Sequence, residues 1–159
     1  MNAYLLLGSN EGDRQQWLEQ AIELIAASCG SIVQASSIYT TAPWGIEEQP
    51  DFLNMAIAID TTLPSTDLLK QINEIEQKLG RQRILKWGQR TLDIDILFYG
   101  DSIIDLPELK VPHPYIQDRR FALVPLNEIA AELIHPVFNK TIAQLLADCP
   151  DTLEVHKAS

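Results

Sequence analysis

Two rhythms of apolar and polar residues alternate along this chain, and they divide it into elements. "NAYLLLG" is an apolar run of strand length, ending at Gly8. "GSNEGD" reads as a turn, with Asp13 placed to cap a helix. From Arg14 to Ser28 the residues Trp17, Ala21, Ile22, Leu24, Ile25 and Ala26 repeat at helical spacing, and Gly30 ends the run. "SIVQASSIYTT" alternates and is β-branched, so it predicts one strand. "APWGIEEQPD" is a loop. "FLNMAIAIDTT" is a near-continuous apolar strand, the pattern of a strand covered on both faces. A second helix starts at Ser65 or Thr66, runs through "DLLKQINEIEQKLG" and closes at Gly80. A basic loop leads into "LDIDILFYG", again a strand.

Strand, helix, strand, strand, helix, strand is the order of a ferredoxin-like βαββαβ core, an α+β antiparallel sheet with two helices on one face. Beyond Gly100, "DSIID" predicts a short edge strand. "DRRFALVPLNEIA" and "TIAQLLADC" predict a short helical extension packed at one end, and the terminal "HKAS" is expected to fray. At 159 residues, residues 1–159 are expected to form a single domain.

Composition narrows the class. Charged residues make up 21% of the chain and the formal net charge is −10, which argues against nucleic acid as a partner. The N-terminal apolar run is too short for a signal or a membrane span. Cys29 and Cys149 fit no metal spacing and suit a reducing compartment. A cytoplasmic monomer acting on small molecules is expected, with no membrane partner.

Within this acidic chain, Lys78, Arg81, Arg83, Lys86 and Arg90 gather five of the twelve Lys and Arg between positions 78 and 90. Such a cluster suits a small polyanion. Asp93 and Asp95 follow in an apolar strand. Residues i and i+2 share a strand face, so their carboxylates stand roughly 6–7 Å apart. Like charges at that spacing are costly unless a cation binds, and Mg²⁺ suits one or two carboxylates plus phosphate oxygens. An isolated "DxD" is more often a solvated strand edge. Coupled to the basic loop, it points to a nucleotide triphosphate. Two other classes share these features: a two-metal nucleotidyltransferase and a non-enzymatic ligand-binding ferredoxin-like domain.

"KWGQRTLDIDILFYG" at 86–100 closely resembles the signature of the 6-hydroxymethyl-7,8-dihydropterin pyrophosphokinase family, a folate-pathway group. Five further stretches resemble it in the same order: "LLLGSN" at 5–10, "YTTAPWG" at 39–45, "QPDFLN" at 49–54, "IEQKLGRQR" at 75–83 and "VPHPYIQDRRF" at 111–121. The resemblance implies a transferase that moves pyrophosphate from ATP to the pterin hydroxymethyl group and releases AMP. It implies that Asp93 and Asp95 hold two Mg²⁺ ions, with Arg81 and Arg90 as catalytic cations. Glu76, expected on the exposed side of the second helix, corresponds with Arg83, Trp87, Arg90, Ile96, His113 and Arg119 to residues on the ATP side. Thr41, Pro43, Trp44, Phe52, Asn54 and Phe121 correspond to the pterin pocket, with Phe52 and Phe121 on either side of the ring. The loops at 43–51 and 81–90 are expected to close over the site. The "GSN" turn is expected to be architectural.

Overall fold

The structure is a computed structural model, and it describes residues 1–10, 12–41, 51–80 and 92–158. In chain order the elements are β1 (Asn2–Ser9), α1 (Arg14–Ser28), β2 (Ser31–Ala35), β3 (Tyr39–Thr41), β4 (Phe52–Asp60), α2 (Ser65–Gly80), β5 (Asp93–Tyr99), β6 (Ile104–Asp105) and β7 (Lys110–Val111). A 3₁₀ turn (Ile116–Asp118), α3 (Arg120–Ala130), α4 (Ile142–Asp148) and β8 (Val155–Lys157) complete the chain.

The main sheet runs β5-β1-β4-β3-β8, with β2 also paired to β4, and every pairing is antiparallel. This is the expected ferredoxin-like order, with β5 at one edge. Three local expectations change. The single strand foreseen over 31–41 divides into β2 and β3, which pair with opposite ends of β4. Ser36 makes the break: its N–H donates to the Ala56 carbonyl at 2.8 Å, and its hydroxyl accepts from the Ala56 N–H at 2.9 Å. A side-chain oxygen thus stands in for a ladder carbonyl. His156 and Lys157 are not frayed, because Val155–Lys157 pairs with β3. "DSIID" forms no part of the main sheet; β6 and β7 make a separate hairpin.

Helix formation follows the apolar stripes. Asp13 Oδ1 accepts the Gln16 N–H at 3.2 Å, so the expected cap is present. In α2 the residues Leu68, Ile72, Ile75 and Leu79 are all buried, one stripe along the helix. Each such residue contributes about 2 kcal/mol when fully buried. Gly30, just after α1, is required for a reason of space: a Cβ there would lie 2.3 Å from the Asp60 carbonyl oxygen.

Both sheet faces are covered. Against α1 and α2 lies one core with Leu5, Leu7, Leu53, Met55, Ile57, Ile59, Ile94 and Ile96. On the other face α3 and α4 pack over Leu6, Ala56, Leu97 and Phe98. The last two helices therefore lie across the second face instead of at one end. Ala56 and Ala58 on β4 leave room for α3 to approach. Glu128 of α3 ties the layers together, accepting from Tyr39 Oη at 2.6 Å and from the Ser37 N–H and hydroxyl. Burial first, then the Glu128 hydrogen bond and charge, pushes the Tyr39 phenol up to about 12. Burial by itself would raise Glu128, but hydrogen bonds from Tyr39 and Ser37 leave it below the usual carboxylate value.

β5 contains one irregularity that sets which way its side chains face. Ile96 pairs with Leu5 and Phe98 with Tyr4, so Leu97 is an extra residue in a bulge. Before the bulge, Asp93 and Asp95 face the α3 side while Ile94 and Ile96 face the α1–α2 core. After it the alternation is reversed, and Leu97 and Phe98 both enter the second core.

Candidate active site

The acidic half of β5 opens onto the part of the second sheet face that α3 leaves bare. Register places Asp93 beside Gly8, Gly8 beside Asn54, and Asn54 beside Tyr39, one row across four strands. Asp95 sits beside Leu6, one row inward, and Thr41 beside Phe52, at the opposite end. Adjacent strands are about 4.8 Å apart, so the Asp93 and Asn54 backbones lie roughly 10 Å from each other. A cavity of about 210 Å³ fills this space, lined by Leu6, Gly8, Thr41, Phe52, Asn54, Asp93, Asp95, Arg119, Phe121 and Leu153.

Each wall has a distinct chemistry. Asp93 and Asp95 are half-buried and share one face. Opposite them in the row, Asn54 is only 6% exposed and donates from Nδ2 to the Leu7 carbonyl at 3.4 Å, a long bond. Gly8 makes this possible, since a Cβ at that position would stand 2.6 Å from Asn54 Nδ2. Thr41 is 5% exposed, and its hydroxyl has no hydrogen-bond partner among the described residues. Phe52 and Phe121 add aromatic faces from β4 and α3. The Arg119 guanidinium lies 5.3 Å from the Tyr115 ring centroid and 5.7 Å from that of Phe121, so two rings hold the cation at the cavity wall.

Seven residues expected from the sequence thus meet at one cavity: Asp93, Asp95, Thr41, Phe52, Asn54, Phe121 and Arg119. His113 sits beside them. Its N–H donates to the Leu97 carbonyl at 3.0 Å, prolonging the β5 edge, and its Nδ1 accepts from the Tyr115 N–H. Burial, and then the neighbouring Arg119 charge, lowers the His113 pKa below the ordinary imidazole value, favouring the neutral ring.

One expectation is corrected, and one side chain points away from the cavity. Ile96 is 6% exposed inside the α1–α2 core, so its side chain faces away from the carboxylates and the cavity. Glu76 does not lie on the solvent side of α2. It is half-buried, and its Oε2 accepts the Ile94 N–H at 2.8 Å, gripping the edge of β5 between the two aspartates. Arg81, Arg83, Trp87, Arg90, Pro43 and Trp44 lie outside the described residues, as do the basic cluster beyond Lys78 and most of the loop at 43–51.

Sequence reasoning missed Leu6, Gly8 and Leu153. Gly8 belongs to β1, not to a turn, and the apolar "LLLG" run carried the signal. Leu153 is brought in by the pairing of β8, for which the local sequence gives almost no signal.

Among the described residues no group of three or more His, Cys, Asp or Glu forms a metal cluster. Two facing carboxylates are hard oxygen donors, the set that Mg²⁺ uses when phosphate and water supply the remaining ligands. The residues present therefore fit a Mg²⁺–triphosphate group.

Comparison with known proteins identifies the family. The family model for 7,8-dihydro-6-hydroxymethylpterin-pyrophosphokinase matches residues 4–131. A 2-amino-4-hydroxy-6-hydroxymethyldihydropteridine pyrophosphokinase of Aquifex aeolicus is 41% identical over 141 residues, covering 89% of this chain and 88% of the relative. Its Bacillus subtilis counterpart is 45% identical over 132 residues, covering 82% and 79%. Among solved structures, wild-type HPPK-DHPS of Plasmodium falciparum superposes with a TM-score of 0.75 at 20% identity over 92% of this chain. That likeness concerns the fold, and the chain spans 44% of the Plasmodium chain's length. Among the described residues no helix is long and apolar enough to cross a membrane.

Proposed function

The chain belongs to the 7,8-dihydro-6-hydroxymethylpterin-pyrophosphokinase family, and on that premise we propose that it transfers pyrophosphate from ATP to 6-hydroxymethyl-7,8-dihydropterin in folate biosynthesis. The observation that carries the reading is the single cavity in which two carboxylates, a buried amide, two phenylalanines and an arginine converge.

The division of labour follows from the lining. The flat bicyclic ring fits between Phe52 and Phe121, where offset aromatic faces attract. Asn54 offers both a donor and an acceptor to the ring's polar edge, and the unpartnered Thr41 hydroxyl supplies another polar contact. This places the hydroxymethyl group toward Asp93 and Asp95, where the triphosphate binds. Bound Mg²⁺, two ions in our reading, offsets the charge of the phosphates and stabilises the leaving oxygen. Arg119 adds a fixed positive charge at the boundary of the two halves. Glu76 holds β5 in place by its grip on the Ile94 N–H, so the carboxylates keep their spacing. Arg81, Arg83 and Arg90, by their sequence positions, serve the phosphates from the basic loop, and Trp87 in the same loop closes over the site.

In the reaction the substrate hydroxyl oxygen forms a bond to the β-phosphorus. The bond from that phosphorus to the α,β-bridging oxygen breaks, AMP departs with that oxygen, and the hydroxyl proton passes to water. Among the described residues no side chain in the cavity stands out as a general base, and phosphoryl transfer depends chiefly on positioning and charge. A cytoplasmic monomer acting only on small molecules fits this role.

The decisive assay follows nucleotide products with and without the pterin. AMP formed only with 6-hydroxymethyl-7,8-dihydropterin supports the proposal. Release of free pyrophosphate would identify nucleotidyl transfer, and binding without turnover would identify a ligand-binding domain.

A further inference from the structure

We propose that the C-terminal segment 150–157 is a wall of the pterin half of the cavity, and that Leu153 decides which ring substituents the cavity admits. This rests on the pterin reading above. The family model ends at residue 131, so this wall lies outside the stretch that defines the family.

The segment is anchored on both sides of Leu153. Downstream, β8 pairs with β3 in the register Val155↔Thr41, and Thr41 in turn pairs with Phe52. Val155 thus continues a row of residues that face the cavity. Thr152, Glu154 and His156 are exposed while Asp151, Leu153 and Val155 are half-buried, a period of two that puts Leu153 on the cavity side. Upstream, both backbone groups of Leu153 are held. Its N–H donates to Asp151 Oδ1 at 2.9 Å, and its carbonyl accepts from Arg120 Nε at 3.1 Å. The second Asp151 oxygen accepts the Arg120 N–H at 3.1 Å, at the start of α3.

Arg120 stands between Arg119 and Phe121, both of which line the cavity. The clamp therefore fixes the Leu153 side chain relative to the aromatic that faces the ring. A branched apolar side chain in that place contacts carbon, not phosphate. It is suited to measuring ring size and to excluding water, and it offers nothing to a nucleotide tail.

The test compares Leu153→Ala and Leu153→Phe with the wild-type protein. It uses the parent pterin and an analogue alkylated on the ring, with unfolding temperature as the control for folding. The readout is the ratio of kcat/KM for parent over analogue. One methylene more or less in an apolar pocket is worth about tenfold or more in discrimination. Leu153→Ala should lower the ratio about tenfold and Leu153→Phe should raise it by a similar factor, while the KM for ATP stays within twofold. Movement in opposite directions is a result that a merely structural leucine would not give. A ratio within twofold of wild type in a folded variant overturns the proposal. If the wild-type protein itself makes no AMP from the parent pterin, the failure belongs to the functional reading and not to Leu153.

Discussion

Replacing Gly8 with Ala should disable pterin recognition while leaving the protein folded. The new Cβ would stand 2.6 Å from Asn54 Nδ2, but 3.7 Å from the Leu53 carbonyl oxygen, the nearest backbone atom. Only the tip of one side chain has to move. Moving it breaks the long bond to the Leu7 carbonyl, a cost of about 1 kcal/mol. Lower freedom in the unfolded chain offsets about 0.4–1 kcal/mol of this. The net change in stability is therefore below about 1 kcal/mol, or a shift in Tm of about 2–4 °C at most for a chain of this size. Binding suffers more. A displaced Asn54 leaves polar groups on the ring unpaired, at about 1–3 kcal/mol, which raises the KM for pterin about fivefold to a hundred-and-fifty-fold. The KM for ATP should not change. Gly30→Ala is the contrasting control. Its Cβ would meet the Asp60 carbonyl oxygen at 2.3 Å and the Thr61 Cα at 3.1 Å, and backbone on that side cannot step aside cheaply. That variant should lose about 1–3 kcal/mol of stability. Thermal unfolding and steady-state kinetics on both proteins decide the matter. A Gly8→Ala protein with wild-type affinity for pterin would refute the reasoning, and so would one as unstable as Gly30→Ala.

Asp95→Ala should lose at least about a hundredfold in kcat with its Tm nearly unchanged, and near-normal turnover would disprove a role at the phosphates. Tyr39→Phe tests the tie between β3 and α3. The folded-state pKa of about 12 exceeds the ordinary value of 10, so the stability from this group is complete below pH 10 and is lost as pH rises toward 12. The wild-type advantage over Tyr39→Phe in unfolding free energy should shrink by about 2 kcal/mol across that window, and an advantage that stays constant from pH 9 to 12 would contradict it.

Much of this architecture was legible because local pattern and global fold agree. The run Leu92–Tyr99 announced a strand, and the two acids within it announced a shared face, since alternation is a property of the backbone itself. The near-continuous apolar character of Phe52–Asp60 correctly demanded cover on both sides. It did not say which element would supply the second layer, because an apolar face specifies burial and not the identity of its partner. β8 was illegible for a related reason. "VHK" becomes a strand only because β3 leaves an edge open more than a hundred residues away in sequence. Leu153 enters the cavity through that same pairing. Glu76 was misjudged because a glutamate on the flank of an amphipathic helix has no local sign of facing inward, and only the unpaired edge of β5 supplies the N–H it accepts.

The extra residue at Leu97 works as a phase shifter. Upstream of it, β5 leaves one side open to the cavity. Downstream, the same side is wholly committed to packing. A single strand thereby serves two masters without a polar group ever entering the interior. It follows that lengthening or shortening the chain by one position between Asp95 and Phe98 would harm more than a distant loop change of equal size. It would either turn the acids toward the aliphatic layer or rotate Phe98 away from α3.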